Sequence, residues 1–243
     1  MGEPPLLEVC VDNPAGLLAA VGSGAGRIEL CAALELSGLT PSPGLMALAA
    51  RQPCPTFAMI RSRPGDFVYS AAEVDVMRGD IDAARGAGLA GVALGASRPS
   101  GDLDEDVLSR LVEHAAGLGL TLHRAFDLVP DFEIALERAA ALGFQRVLTS
   151  GGERTAVLGA ARIADLVVQA KGRIEIMAGS GLDAGNVAAL VRRTGVREVH
   201  ASCGASAPAH GNERAQALGF VSSQQRDRRA ESVAAMVRAL EAP

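Results

Sequence analysis

Short apolar runs alternate with longer helical stretches along almost the whole chain, and this alternation limits the possible folds more than any other feature. Each run is about five residues rich in Val, Ile, Leu and Ala, as expected for a buried strand. We predict strands near residues 6–10, 27–31, 56–60, 90–94, 119–123, 145–149, 173–177 and 197–201. We predict helices near residues 14–23, 43–52, 71–87, 104–117, 131–142, 154–170, 184–193 and 228–240.

Eight strand–helix units in 243 residues predict a single (β/α)8 barrel of the TIM type that spans residues 1–243. The alternative is an open, doubly wound sheet. It is disfavoured by the regularity of the units and because no Gly-x-Gly-x-x-Gly follows the first strand. Two segments interrupt the pattern: a polar loop at 61–70, and a long stretch at 202–227 that we expect to be irregular. Long irregular segments in compact domains are often functional.

Composition and charge exclude several classes of function. The net charge is −5 and no block of Lys and Arg is present, which argues against nucleic-acid binding. No run of about 18 apolar residues could span a bilayer, and the amino terminus lacks the features of a signal peptide. The four cysteines, Cys10, Cys31, Cys54 and Cys203, have neither Cys-x-x-Cys nor zinc-like spacing. We therefore predict a reduced, cytoplasmic protein with no membrane or nucleic-acid partner.

The first two predicted strands end in the same pattern, Glu-x-Cys. It comprises Glu8 and Cys10 in the first strand and Glu29 and Cys31 in the second. Alternate side chains of a strand share a face. If the intervening apolar residues pack against helices, both carboxylates and both thiols point into the barrel. An unpaired buried carboxylate is costly, so the repeated pattern indicates a functional role.

One such role is the binding of a soft metal ion. Cu(I) prefers sulfur ligands, and neighbouring strands lie about 4.8 Å apart, so Cys10 and Cys31 could bind one ion. The same alternation turns Met59 and Met177 inward and supplies possible thioether ligands. The alternative is that both cysteines are small core residues without a metal.

Polar residues at the predicted strand ends suggest a second chemistry, because active sites of TIM barrels lie at the carboxyl ends of the strands. Carboxylates and histidines suit acid–base catalysis, whereas arginines and glycine-rich loops suit anion binding. The candidate catalytic residues are His123, Asp127, His200, Glu8, Glu29 and Glu175. The candidate ligand-binding residues are Arg61, Arg63, Arg124, Ser150, Gly151, Gly152, Gly179 and Gly181. Tight strand-to-helix turns also need glycine, which is the structural alternative.

The ordered strand-end motifs resemble those of the CutC family, the copper homeostasis proteins. They are Leu-Glu-Val-Cys at 7–10, Arg-Ile-Glu-Leu-Cys at 27–31, Gly-Leu-Thr-Pro-Ser at 38–42, Ile-Arg-Ser-Arg at 60–63, Gly-Asp-Phe-Val-Tyr-Ser at 65–70, His-Arg-Ala-Phe-Asp at 123–127, Arg-Val-Leu-Thr-Ser-Gly at 146–151, Ile-Met-Ala-Gly-Ser-Gly at 176–181 and Glu-Val-His at 198–200. The resemblance runs from about Leu7 to about His200. It departs at Ser37, where glycine is common, at Ser62, where proline is usual, and beyond Ser202.

The resemblance implies a TIM-type barrel, a cytoplasmic location, and self-association as a homodimer or higher homo-oligomer. It also implies Cu(I) binding at two cysteines that match Cys10 and Cys31. A copper homeostasis protein is therefore the leading hypothesis. The alternative is an enzyme or binder of a small phosphorylated or carboxylated metabolite. A third hypothesis is an assembly partner that self-associates through residues 202–227.

Overall fold

A closed barrel of eight parallel strands forms the centre of the protein, as seen in a computed structural model that describes residues 4–207, 213–219, 225–228 and 230–241. The strands are hydrogen bonded in chain order, and the eighth closes the ring by pairing with the first. They are β1 Leu6–Val11, β2 Arg27–Leu30, β3 Thr56–Met59, β4 Gly91–Leu94, β5 Gly119–Leu122, β6 Arg146–Thr149, β7 Glu175–Gly179 and β8 Glu198–Ala201. The predicted (β/α)8 barrel is confirmed.

Helices surround the barrel and connect its strands. They are α1 Pro14–Gly22, α2 Pro43–Ala49, α3 Ala71–Ala87, α4 Glu105–His114, α5 Phe132–Ala141, α6 Ala160–Ala170 and α7 Val187–Thr194. Two 3-10 helices, Leu34–Leu36 and Arg124–Leu128, follow β2 and β5. The helix that we predict from residue 154 begins at Ala160 instead. Gly159, just before this helix, packs closely against the end of β6, because a Cβ there would lie 1.9 Å from the carbonyl oxygen of Ser150.

The segment after β8 has more regular structure than we expect from the sequence. Strands β9 Gly204–Ala207 and β10 Gln225–Arg228 pair in antiparallel fashion, and a short helix α8 Glu213–Ala217 lies between them in the chain. Residues 208–212 and 220–224 of this segment lie outside the described residues. The last helix, α9 Ala230–Glu241, packs against α1 and α7 and so takes the place of the eighth barrel helix.

Local sequence signals explain where several helices begin and end. The Ser42 hydroxyl accepts a hydrogen bond from the Leu45 amide at the start of α2, where Pro43 occupies the first helical position. Ser70 and Glu73 form a reciprocal capping box at the start of α3. Gly88 ends α3 with φ +83°, a backbone conformation that favours glycine.

The two faces of each strand have different environments, and this difference positions the candidate site. Apolar residues such as Leu7, Val9 and Ile28 are buried in the core between barrel and helices, where each contributes about 1.5–3 kcal/mol of stability. The residues between them point into the barrel. From the first two strands these inward side chains are Glu8, Cys10, Arg27, Glu29 and Cys31.

The amino-terminal half of the barrel interior is filled by Phe57. A Cβ at Gly91 would lie 2.3 Å from the Phe57 ring, and one at Gly119 would lie 2.6 Å from it. These two glycines therefore provide the space that the ring occupies. Phe57 thus occupies the interior near the amino-terminal ends of β4 and β5, and a cavity lies at the carboxyl ends of the strands.

Among the described residues, none of the helices combines the length and the apolar character needed to cross a bilayer.

Candidate functional site

A network of charged side chains surrounds Phe57 inside the barrel. Arg27 forms ion pairs with both Glu8 and Glu198, and its Nη2 also donates to the Met177 sulfur at 3.2 Å. The guanidinium carbon of Arg27 lies 5.5 Å from the centre of the Phe57 ring, a cation–π arrangement. These contacts compensate the buried charges within the protein itself.

Arg146, the first residue of β6, is the second arginine of this network. Arg146 Nε lies 3.2 Å from a Glu198 oxygen. Its guanidinium carbon is 4.8 Å from the centre of the Phe57 ring. The network of charged side chains around Phe57 therefore contributes to the stability of the barrel.

Glu8 connects this network to the open end of the barrel. Burial raises the pKa of its carboxyl, but the hydrogen bond from His200 and the charges of Arg27 and His200 outweigh burial and lower that pKa to about 2. Glu8 is therefore ionised, and its Oε1 lies 2.7 Å from Nδ1 of His200. The strand register explains the contact, because Glu8 of β1 lies opposite His200 of β8.

His200 lies between carboxylates on two sides. Its Nδ1 faces Glu8, and its Nε2 is 3.8 Å from a carboxylate oxygen of Glu29. Burial lowers the pKa of His200, but the nearby Glu29, Cys10 and Glu8 more than offset burial and raise it well above the usual value. Conversely, burial and the neighbouring Glu8 raise the pKa of Glu29, although the charge of His200 opposes them.

Three possible metal ligands meet at the open end of this arrangement. The Cys10 sulfur, a ring nitrogen of His200 and a carboxylate oxygen of Glu29 all lie within 4.8 Å of one another. All three residues line the cavity at the mouth of the barrel. They come from β8, β1 and β2, which are adjacent around the barrel.

Cys31 is not a member of this three-residue group, although the sequence predicts that it binds a metal together with Cys10. The register places Cys10 opposite Glu29, and Cys31 lies beyond the end of β2. Its sulfur is 3.6 Å from the Glu29 carboxylate, to which the thiol donates. Burial, together with the charges of Glu29 and Cys10, raises the pKa of the Cys31 thiol well above its usual value. Cys31 is therefore a protonated donor.

The mouth cavity has a volume of about 1080 Å³ and is lined by several of the predicted residues. On the β3 and β5 side it contains Arg61, Phe67 and His123. The carboxyl-terminal helix contributes Met236, and Cys203 lines the cavity just after β8. The cavity is thus bounded both by the barrel strands and by elements that follow β8.

His123 follows β5 and is held in a single protonation state. Its Nδ1 accepts a hydrogen bond from the Ala125 amide at 3.2 Å, so the proton of the neutral ring is on Nε2. Burial and the positive charge of Arg61 lower the pKa of His123 to about 3. The ring packs against Phe67 with 4.8 Å between ring centres. His123 is therefore a neutral hydrogen-bond donor at neutral pH.

Two of the three predicted anion-binding arginines, Arg61 and Arg63, have different environments. Arg61 is buried and donates to the carbonyl oxygens of Leu36, Gly38 and Gly65. A second arginine, Arg63, does not line the cavity. It forms ion pairs with Asp66 and Glu73 and so holds the loop after β3 against the start of α3.

Asp127 binds the glycine loop after β6, which the sequence predicts to bind an external anion. Its carboxylate accepts from the amides of Ser150 at 3.1 Å and Gly152 at 3.0 Å, and from Nε of Arg124 at 2.7 Å. The Gly151 amide donates to Thr149 Oγ1. This loop is an anion-binding turn, but the anion that it binds is a side chain of the same protein.

The remaining predicted residues lie on β7 or just after it. Glu175 begins β7 at the amino-terminal end of the barrel and accepts a hydrogen bond from Arg197 at 2.9 Å, so it is far from the mouth. A Cβ at Gly179 would lie 2.5 Å from the Leu148 side chain. At Gly181, where φ is +71°, a Cβ would lie 2.6 Å from Thr155. Both glycines thus have steric roles, and Gly181 also lines the mouth.

Sequence reasoning did not single out Arg27, Glu198 or Phe67. A signal for the first two was present, because Arg27 and Glu29 have the same parity in β2, and Glu198 and His200 have it in β8. Each of these pairs must therefore share the interior face. Phe67 gave no such signal, since it lies in an irregular loop.

Comparisons with known proteins agree with the motifs. The model of the CutC family matches residues 5–205. A CutC protein of Caulobacter vibrioides is 58% identical over 238 residues, which cover 98% of this chain and 97% of the relative. One from Vibrio cholerae is 50% identical over 205 residues, covering 83% of this chain and 81% of the relative. The crystal structure of CutC from Streptococcus agalactiae is 32% identical, with a TM-score of 0.79, and covers 82% of this chain and 98% of that one. The chain therefore belongs to the CutC family.

Proposed function

We propose that this protein acts in copper homeostasis and binds Cu(I) at the mouth of the barrel through Cys10 and His200, with Glu29 as a neighbouring oxygen donor. The observation that carries the proposal is the convergence of these three ligand atoms within 4.8 Å of one another. Thiolate and imidazole suit a soft ion such as Cu(I). The Streptococcus agalactiae relative is named as a copper homeostasis protein, and we propose the same role for this chain.

The orientation of His200 supports its assignment as a ligand. Metal-binding histidines commonly donate one ring N–H to a carboxylate and bind the ion through the other nitrogen. Here Nδ1 is bonded to Glu8 at 2.7 Å, while Nε2 faces Glu29. In this arrangement, Glu8 orients the ring and compensates its charge.

Cys31 is the second sulfur ligand that the sequence predicts, and two observations support a smaller role for it. Its thiol donates to Glu29 and lies outside the three-ligand group. We therefore propose that Cys10 is the principal sulfur ligand and that Cys31 acts mainly through Glu29. Cu(I) binding would displace the proton of His200 Nε2, whose pKa is raised, so the apparent affinity should rise with pH.

Competition with a chromogenic Cu(I) chelator, under anaerobic reducing conditions, tests this proposal. We expect Cys10→Ser to weaken Cu(I) binding about 100-fold or more, and Cys31→Ser to weaken it about tenfold at most. Cys54→Ser is the matched control, because Cys54 is another buried thiol but bonds to the Ala25 carbonyl outside the mouth cavity. It should leave the affinity unchanged.

Wild-type affinity in the Cys10→Ser variant would contradict the proposal, and so would an equal loss in the Cys54→Ser control. A larger loss in Cys31→Ser than in Cys10→Ser would reverse the proposed roles of the two thiols. Cytoplasmic location and self-association stay predictions from the family resemblance.

A further inference from the structure

Two buried hydrogen-bond donors in the mouth cavity lack an acceptor. They are Nε2 of His123, whose residue is 3% exposed, and Nε of Arg61, whose residue is 5% exposed. Both side chains line the same cavity and both contact Phe67. Buried donors are nearly always satisfied, so two of them at one cavity wall indicate that a ligand supplies the acceptors.

The charge of Arg61 is not paired with a carboxylate among the described residues, although the Tyr69 hydroxyl interacts with its side chain. Its two terminal nitrogens donate to carbonyl oxygens, at 2.9 Å to Leu36, 3.1 Å to Gly38 and 2.7 Å to Gly65. Within the described part of the chain, no carboxylate comes within ion-pair distance of it. A buried charge without a counter-charge is costly, and an anion in the cavity would remove that cost.

His123 is held rigidly and can only donate toward the cavity. The Nδ1 atom of His123 accepts a hydrogen bond from the Ala125 amide. Gly95 provides the space for the ring, since a Cβ there would lie 2.6 Å from two ring atoms. The Nε2–H group is thus fixed in direction before any ligand arrives, which reduces the entropic cost of binding.

We propose that His123 and Arg61 form a binding site for the carboxylate of a small organic acid. The two free N–H donors match the two oxygens of a carboxylate, and the single uncompensated positive charge matches its single negative charge. The cavity, about 1080 Å³ in volume, has room for the rest of such a molecule. This site lies on the β3 and β5 side of the mouth and does not depend on the copper proposal.

A phosphate group fits this wall less well than a carboxylate. Among the described residues that line the cavity, Arg124 is already paired with Asp127, so a second negative charge on the ligand would meet no further unpaired arginine. The loop after β6 is the usual phosphate-binding position in this fold. Here its Ser150 and Gly152 amides already donate to Asp127.

NMR of full-length, metal-free protein labelled with [15N]histidine tests the site, because the chain contains only four histidines. We expect the His123 ring signal to shift saturably with pyruvate and with acetate, with a Kd of about 1–10 mM for these small probes. Inorganic phosphate should bind at least about tenfold more weakly. His114 is an internal control, because it lies on the outer surface beside Asp82 and should not respond.

Variants separate this site from the copper site. His123→Phe keeps a ring against Phe67 but removes the donor, so pyruvate should no longer raise the melting temperature of that variant. Arg61→Gln should weaken the NMR-detected binding about tenfold or more, and His123→Phe decides the question if Arg61→Gln does not fold. Cys10→Ser should bind pyruvate as the wild type does, even if it loses copper.

The proposal is overturned if pyruvate and acetate leave the His123 signal unmoved up to about 100 mM. It is also overturned if phosphate binds as tightly as they do, or if pyruvate stabilises His123→Phe as much as it stabilises the wild type. Loss of pyruvate binding in Cys10→Ser would likewise contradict a separate site.

Discussion

Replacement of Arg27 by methionine should destabilise the barrel more than the loss of any surface ion pair. Arg27 is 4% exposed and is paired with Glu8, which is 1% exposed, and with Glu198. Methionine keeps much of the apolar volume, but it leaves the Glu8 carboxylate buried without its arginine. Removal of one partner of a buried ion pair costs about 3–5 kcal/mol, and the lost stacking over Phe57 adds up to about 2 kcal/mol.

Arg173→Met is the matched control for this change. Arg173 donates to both carboxylate oxygens of Glu137, at 2.6 and 2.8 Å, but this pair lies on the exposed surface. Solvent screens such pairs, so we expect only a small change in the free energy of unfolding. The two substitutions therefore remove similar contacts in different environments, and the difference between them measures the effect of burial.

Urea denaturation at neutral pH measures both variants. If the stranded carboxylate causes the loss, Glu8→Gln added to Arg27→Met should restore part of the stability, because a neutral amide is less costly to bury. Equal free energies of unfolding for Arg27→Met and Arg173→Met would refute the reasoning. Absence of any rescue by Glu8→Gln would place the loss in packing around Phe57 instead.

Two further predictions concern the barrel interior. The interior histidines should give a stability optimum near pH 6.5. The pKa of His123 is lowered to about 3 in the folded protein, so His123 stays neutral where the unfolded chain binds a proton, and stability falls as pH drops from about 6.5 to 3. The pKa of His200 is raised in the folded protein. Its contribution to stability is therefore full below about pH 6.5 and is lost as pH rises through the folded pKa. Urea denaturation from pH 4 to 9 checks this, and His123→Phe should flatten the acid limb; an unchanged acid limb would contradict it. Gly91→Ala should cost about 1–3 kcal/mol, because its Cβ would lie 2.5 Å from a backbone carbonyl oxygen. Gly79→Ala, at an exposed position of α3 where no atom lies within 4 Å of the added Cβ, should stabilise by about 0.5–1 kcal/mol in the same urea denaturation assay; equal effects of the two would be inconsistent with the steric account.

Strand positions and strand faces could be predicted from the sequence because both depend on local patterns. Apolar alternation in β1 and β2 places Glu8, Cys10, Glu29 and Cys31 on the interior face, as the structure has them. The same parity also identifies Arg27, although its importance depends on partners from β1 and β8 that no local pattern reveals.

Register and loop contacts could not be predicted in this way. The sequence shows two equivalent Glu-x-Cys patterns, but the stagger of the barrel places Cys10 opposite Glu29 and leaves Cys31 one step beyond. From the sequence, Asp127 is only a candidate catalytic residue. Its actual partners, the amides of Ser150 and Gly152, lie more than twenty residues away in the chain and meet it only because β5 and β6 are neighbours.

The distribution of satisfied and unsatisfied groups separates stability from function inside this barrel. Below the mouth, Glu8 and Arg27 are charged and paired, so their burial needs no ligand; Arg146 Nε makes no hydrogen bond there but lies 3.2 Å from a Glu198 oxygen. At the mouth, Glu29, Arg61 and His123 each keep a buried polar atom without a hydrogen bond. The first belongs to the thiol and imidazole group, and the other two follow β3 and β5. A soft cation on one side and an organic anion on the other would satisfy both sets. If the two sites are distinct, the loss of copper in Cys10→Ser and the loss of pyruvate in His123→Phe should be independent.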